Sequence, residues 1–194
     1  MGLPRVTDRP PDPDTELLDG CRRGDPHAQR ALFDRHRDRI YSIALHYLRG
    51  DGDAAQDVTQ EVFVKLFRAA DTFRADARLS TWLYRVVANA CADELRRRRR
   101  LVLLGDVPAA NHPQVEQPEP TAPDGRVSAA LQGLSPRLRL VVVLRYFDDL
   151  SYDEIGEAIG VTSGTVASRL NRAHAILKRK LDPLRASFGG ADHA

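Results

Sequence analysis

Three groups of side chains in this sequence have types and spacings that suit binding chemistry. The most informative is residues 151–181, SYDEIGEAIGVTSGTVASRLNRAHAILKRKL, which read as helix, tight turn, helix. Ser151 and Glu154 make an S-x-x-E capping box, and Leu150 with Ile155 sit where a hydrophobic staple closes over the helix start. Ile155 and Ile159 point inward one turn apart, Gly160 supplies the sharp turn, and Thr162 is placed to cap a second helix. On that second helix Val166, Leu170, Ala173 and Leu177 form one buried stripe. Ser168, Asn171, Arg172 and Arg179 fall on the opposite face. A helix with a buried stripe and a short polar, basic outer face suits a DNA major groove, and its N-terminal residues lead the contacts with base edges.

The second group lies on the stretch 80–100. Leu79, Trp82, Leu83, Val86, Val87, Ala90 and Leu95 recur at helical spacing, and Arg85, Asn89 and Arg96 line the other side. Five consecutive arginines, Arg96 to Arg100, end the run. Two readings stand for them. Cations favour the C-terminal end of a helix macrodipole, so the tract is a solvated helix end; or the tract meets a phosphate backbone, which asks for that many charges where helix stability does not. Asn89, with two donors and an acceptor, suits a base edge, although taken alone it reads first as an ordinary surface asparagine. The third group is acidic. Asp53, Asp57, Gln60 and Glu61 share one face of a helix over 53–68 whose other side is Val58, Val62, Phe63, Leu66 and Phe67. Either Lys65, four residues after Glu61, compensates the repulsion on an unremarkable surface helix, or the face docks on a basic partner.

These groups need elements to hold them, and the chain supplies helices. Helical periodicity predicts helices near 14–23, 26–49, 52–71 and 80–100, punctuated by Gly24-Asp25-Pro26 and Gly50-Asp51-Gly52. Residues 101–124 break the pattern with Pro108, Pro113, Pro118, Pro120 and Pro123 and read as a linker. The apolar run Leu101, Val102, Leu103, Leu104 at its start is an exception suited to docking. Periodicity resumes at 125 and runs to about 183, with Ser135-Pro136 as a start signal. The expected architecture is all-α: a helical domain over 14–100 and a helix-turn-helix domain over 125–183 on a proline-rich tether. The proline-rich first thirteen residues and the end of the chain from Phe188 read as tails.

Composition bounds the function classes. The chain has 194 residues and a formal net charge of +2, so the distribution of charge rather than its sum makes any case for nucleic acid. Cys21 and Cys91 are the only cysteines, without C-x-x-C spacing, as expected of a reduced cytoplasmic chain. The histidines show no ligand spacing, no apolar run approaches the ~18 residues of a membrane span, and no nucleophile–base pair or P-loop supports an enzyme. No metal, cofactor or membrane insertion is expected. Val6 stands where a myristoylation signal needs Ser or Thr.

DAAQDVTQEVFVKLFRAADTFR followed by LSTWLYRVVANACADELRRRRR resembles the promoter-melting domain of bacterial RNA polymerase sigma factors. LSPRLRLVVVLRYFDDLSYDEIGEAIGVTSGTVASRLNRAHAILKRKL resembles their helix-turn-helix domain. The short length and the bare linker are similar to the extracytoplasmic-function (ECF) group of the sigma-70 family, and the likeness covers roughly 14–183. The resemblance implies a non-enzymatic subunit that binds core polymerase through its β′ and β subunits and directs initiation at promoter DNA. It implies that Asp57, Gln60 and Glu61 dock on the β′ coiled-coil clamp. The loop from Phe73 to Ser80, with Phe73, Arg74, Asp76 and Ala77, captures a flipped base of the minus-ten element, and Asn89, with Arg85 and Arg96 on its face, helps to read that element. Ala167, Ser168, Asn171 and Arg172 read the minus-thirty-five element; Ala167 stands where many relatives have lysine or arginine. An anti-sigma partner and a linker threading toward the RNA exit path are family-level expectations. The alternative function is a free-standing helix-turn-helix regulator, which has no need of the acidic face at 53–61.

Overall fold

The computed structural model describes residues 13–73, 78–104 and 123–188. Among them are eight helices: α1 (Thr15–Arg22), α2 (Pro26–Tyr47), α3 (Gly52–Ala69), α4 (Leu79–Leu104), α5 (Pro123–Gln132), α6 (Pro136–Tyr146), α7 (Tyr152–Ile159) and α8 (Ser163–Phe188). Helix starts follow local chemistry. The Asp25 carboxylate accepts the His27 amide at 2.9 Å with Pro26 at the first helical position of α2, and Asp51 accepts the Ala54 amide at 3.0 Å to open α3.

Both boundaries of the expected linker move. Helix α4 does not stop at Arg100 but continues through Leu104, into the segment read as linker. Leucines propagate a helix and no proline intervenes before Pro108, so the break in apolar periodicity did not end the backbone. Leu101 is half-buried there, and Leu103 is 85 % exposed. Helix α5 starts at Pro123, the last of the prolines assigned to the linker, because proline fits the first helical turn.

Helices α1 to α4 pack around Leu32, Ile40, Ile43, Val62, Leu66, Leu79, Leu83, Val87 and Cys91, all essentially buried. Helix α1 is pinned to α2 by the buried Asp14, which receives Arg35 Nη1 at 2.6 Å and His36 Nε2 at 2.7 Å. Helices α5 to α8 pack around Leu134, Val141, Leu144, Ile155, Val166, Leu170 and Ala173. The two cores are continuous, since α2 lies on α6 and α4 on α7. Three of the polar or aromatic contacts cross between the halves. Arg139 Nη1 donates to the Tyr47 carbonyl at 2.8 Å, Arg39 Nε meets Asp148 Oδ1 at 2.6 Å, and the His46 and Phe147 rings are 4.6 Å apart; within the N-terminal half the same Arg39 guanidinium lies 5.8 Å over the Tyr84 ring.

The turn between α7 and α8 is built by two glycines. Gly160 takes φ +69, a left-handed conformation that a side chain disfavours. The Val161 amide then closes on the Gly156 carbonyl at 2.9 Å, a Schellman-type ending. Gly156 is needed for close approach, since a Cβ there would sit 2.6 Å from the Val161 carbonyl oxygen, a backbone atom that cannot step aside. Gly156→Ala should therefore destabilise the chain by ~1–3 kcal/mol in urea unfolding. Gly164→Ala, where the nearest atom is 4.0 Å away, should be neutral or stabilising by up to ~1 kcal/mol. Equal stability of the two variants would contradict this account of the turn.

Candidate nucleic-acid and polymerase interfaces

The helix-turn-helix is set up by the reciprocal cap at Ser151. Its amide donates to Glu154 Oε2 at 2.9 Å and its Oγ accepts the Glu154 amide at 3.3 Å. Thr162 Oγ1 accepts the Thr165 amide at 3.3 Å at the start of α8. Val166, Leu170 and Ala173 are buried, Leu177 is half-buried, and Ser168, Asn171 and Arg172 face solvent. Ala167 is half-buried beside them. Between the first turns of α6 and α8 lies an open notch of about 620 Å³, lined by Ser135, Arg137, Thr162, Ser168, Arg169 and Arg172. Two helix N-termini and three guanidinium groups make its field positive, as an anionic oxygen requires. Arg137 and Arg169 were missed in the sequence. Arg137 carried a signal, because a cation in the first turn of a helix opposes the macrodipole and so asks for another reason to be there.

On α4, Arg85, Asn89 and Arg96 are exposed on the side away from Leu83, Val87 and Cys91. Phe73, at the end of the α3 segment, is half-buried with its ring edge-on to Trp82 at 6.1 Å. Its carbonyl accepts Arg22 Nη2 at 2.7 Å, and Arg22 Nε reaches the Ala70 carbonyl at 3.1 Å. Arg22 thus fixes the point from which the following loop departs, a role with no local signal because its partners are about fifty positions away. The predicted site residues Arg74, Asp76 and Ala77 lie outside the described residues.

The arginine tract divides. Arg96 pairs with Asp93. Arg97 forks onto Glu94 at 2.8 and 2.9 Å. Arg98 bridges Glu94 at 2.6 Å and Asp51 at 2.7 Å, tying the end of α4 to the cap of α3. Burial alone would raise the Glu94 pKa, but hydrogen bonds from Arg97 and Arg98 outweigh it and hold the carboxyl below its usual range. Only part of the tract is therefore solvated charge, while Arg98 is a structural tie; Arg99 and Arg100 are exposed.

On α3, Asp57, Gln60 and Glu61 are exposed together. Glu61 pairs with Lys65 at 2.6 Å, as the compensating reading expected. Both partners are about half exposed, and such a surface pair is worth only ~0.3–0.5 kcal/mol, so it yields readily to a stronger partner. Val64, one turn after Gln60 and 42 % exposed, puts an apolar atom group on this acidic face. An apolar residue on the polar side of the helix was the missed signal. Among the described residues no cluster of His, Cys, Asp or Glu could hold a metal ion, and no helix is long and apolar enough to cross a membrane.

Comparison with known proteins matches residues 32–101 to Sigma-70 region 2 and residues 124–177 to Sigma-70, region 4. The chain is 33 % identical to the RNA polymerase sigma-H factor of Pseudomonas aeruginosa over 88 % of this chain and 95 % of that protein. It is 30 % identical to the ECF RNA polymerase sigma factor SigW of Bacillus subtilis over 84 % of this chain and 94 % of that protein. With the ECF RNA polymerase sigma-E factor of Escherichia coli it shares 32 % over 88 % of this chain and 95 % of that one. Its fold is similar to that of CnrH solved with the cytosolic domain of CnrY, at TM-score 0.66 and 27 % identity, covering 89 % of this chain and 99 % of that chain. Two region matches in order, joined to an all-helical fold with exposed acidic and basic faces, place the chain in the sigma-70 family, as an ECF-type sigma factor that directs RNA polymerase to begin transcription at promoters.

Proposed function

We propose that three exposed faces divide the work of this sigma factor. Asp57, Gln60 and Glu61, with Val64 among them, dock on the β′ clamp of core polymerase. Phe73, the loop after it with Arg74, Asp76 and Ala77, and Arg85, Asn89 and Arg96 on α4 engage the melted minus-ten element. Ser168, Asn171 and Arg172 read the minus-thirty-five element, with Ala167 at the edge of the contact and Arg137 and Arg169 on the adjacent phosphates. The N-terminal unit then spans 14–100, extended by the last turn of α4, and the DNA-reading unit spans 125–183. The chain carries out no reaction of its own and works in the cytoplasm, where polymerase and promoters are. The observation that supports this reading best is the acidic face on α3, exposed on the same four-helix unit whose α4 presents a basic face. A regulator acting through its helix-turn-helix alone has no use for it. An anti-sigma partner follows from the family resemblance, and the CnrH–CnrY pair is in keeping with a protein partner.

Carboxylates set against a basic clamp are partly desolvated pairs, and truncating one partner costs ~2–5 kcal/mol. Asp57→Ala combined with Glu61→Ala should weaken core binding at least ~tenfold at unchanged helicity. A titration giving wild-type affinity would remove α3 as the docking face. A flipped base loses stacking that its pocket must recover, so Asn89→Ala should reduce open-complex formation and relax minus-ten selectivity while core binding persists. Permanganate footprints identical to wild type on matched and mismatched elements would take Asn89 out of the site.

The notch separates two kinds of arginine. Arg172 can bridge guanine through parallel hydrogen bonds worth ~1–3 kcal/mol of discrimination, so Arg172→Ala should flatten preference at one or two base pairs. Arg137→Ala should weaken binding to all sequences alike and lower the salt slope by about one. Selection from a randomised minus-thirty-five library that returns the wild-type consensus for Arg172→Ala would make Arg172 a phosphate ligand like its neighbours.

A further inference from the structure

Helix α1 carries none of the residues assigned to the polymerase or DNA faces, yet it is tied at both ends. At its start Asp14 receives Arg35 and His36 of α2. At its end Arg22 uses all three guanidinium nitrogens. Nη1 meets Asp19 Oδ1 at 2.6 Å within the helix, Nε donates to the Ala70 carbonyl at 3.1 Å, and Nη2 donates to the Phe73 carbonyl at 2.7 Å. Helix α1 packs on α2, and this fork carries it on to the end of α3.

The Phe73 carbonyl matters because of where its residue stands. The Phe73 ring meets Trp82 edge-on at 6.1 Å. Trp82 begins a stripe on α4, with Arg85 and Asn89 at i+3 and i+7, the spacing of one helix face. Arg22 therefore fixes the main chain of a residue whose side chain abuts the head of the face proposed to engage the minus-ten element.

A cap on a neighbouring helix is the simpler account. Ala69 is the last helical residue of α3, and the Thr72 and Phe73 amides both close on its carbonyl, at 3.0 and 2.9 Å. The Ala70 and Phe73 carbonyls beyond it lie at the negative end of the helix dipole, where a cation is favourable. Satisfying them does not require this side chain, however. The Arg22 side chain is 35 % exposed, and water serves carbonyls at such a site nearly as well. Water cannot hold two carbonyls three residues apart in fixed relation. A planar fork whose third nitrogen is held by Asp19 can, because its donors are preorganised.

We infer that Arg22 is a positioning residue for minus-ten selectivity: through the Phe73 carbonyl it sets where the Phe73–Trp82 pair stands at the head of the Trp82, Arg85 and Asn89 stripe, and so makes α1 part of promoter discrimination without touching DNA. This role rests on the assignment of Phe73 and Asn89 to the minus-ten face. A displaced Phe73 costs the correct base more than a wrong one, so the loss falls on selectivity and not on affinity for polymerase.

The test uses holoenzyme assembled from core polymerase and the full chain. Selection from a randomised minus-ten library supplies the preferred strand. Fork-shaped templates then present it single-stranded, either intact or abasic at the position that wild type reads most strongly. The readout is the ratio of affinities for intact and abasic forks, alongside core binding and the urea midpoint of the free chain. Arg22→Ala should lower that ratio at least ~fivefold, the low end of what one mismatch costs, with core affinity unchanged. Arg22→Lys keeps the charge but has one nitrogen for two carbonyls, so it should not restore the ratio. A lower urea midpoint with the wild-type ratio in Arg22→Ala makes Arg22 a helix cap only and overturns the positioning role. Full recovery in Arg22→Lys, or loss of core binding in both variants, overturns it as well. Phe73→Ala and Asn89→Ala separate this role from the face beneath it. If they lower the ratio and Arg22→Ala does not, the minus-ten face stands and the positioning role is gone. If both keep the wild-type ratio, the minus-ten face itself falls, and the role of Arg22 with it.

Discussion

A single buried guanidinium organises the C-terminal half and its seat on the N-terminal one. Arg139 is fully buried, yet among the described residues no carboxylate is paired with it. Its Nε donates to the Leu131 carbonyl at 2.9 Å, Nη2 to Gln132 at 2.8 Å and Leu134 at 2.7 Å, and Nη1 to Tyr47 at 2.8 Å. Burial, with Arg49 nearby, pulls its pKa down to about 10, so it remains charged at neutral pH. What makes that charge tolerable is the company of helix ends. Leu131 and Gln132 finish α5 and Tyr47 finishes α2, and the last carbonyls of a helix carry its negative partial charge and lack partners within the helix. Arg139 supplies donors to these acceptors, the Leu131 carbonyl also taking the Leu134 amide at 3.0 Å, and they in turn replace the water it gave up. A lysine could not, because three donors on one point do not match four carbonyls spread around a planar fork.

Arginine plays the same part elsewhere. Arg22 ties α1 to the last carbonyls of the α3 segment, and Arg98 ties the end of α4 to the first turn of α3. A chain with a formal net charge of +2 therefore holds two populations of arginine, some spent in internal ties and others, such as Arg85, Arg172 and Arg137, left exposed. The sum of charges is uninformative because it mixes these two populations.

The same distinction explains what was legible from residues alone. The helix-turn-helix was readable because its determinants are local: a capping box three residues apart, a left-handed Gly160, and a stripe at helical spacing. The all-α class and the exposed side of α3 were readable for the same reason. The end of α4 was not, since Leu101 to Leu104 lost the amphipathic pattern without losing helix propensity. Half of the arginine tract was open to a local reading, because Asp93 and Glu94 stand three and four residues before their partners. The tie from Arg98 to Asp51 was not, at 47 positions' separation. Arg39 and Asp148 lie further apart still, and nothing in periodicity or propensity pairs them. Where contact is set by how helices pack, sequence pattern identifies the faces and leaves the partners undetermined.

One consequence concerns how opposite charges coexist on a small helical unit. The acidic face of α3 and the basic end of α4 belong to packed neighbours, and Asp51 with Arg98 joins them directly. At physiological ionic strength exposed charges are screened beyond ~8 Å, so faces on separate sides of a helix pair present separate fields to separate partners. The partly buried pair between them is screened less and ties the two helices together. An acidic surface and a basic one are thus held in fixed register by a third pair that lies between them.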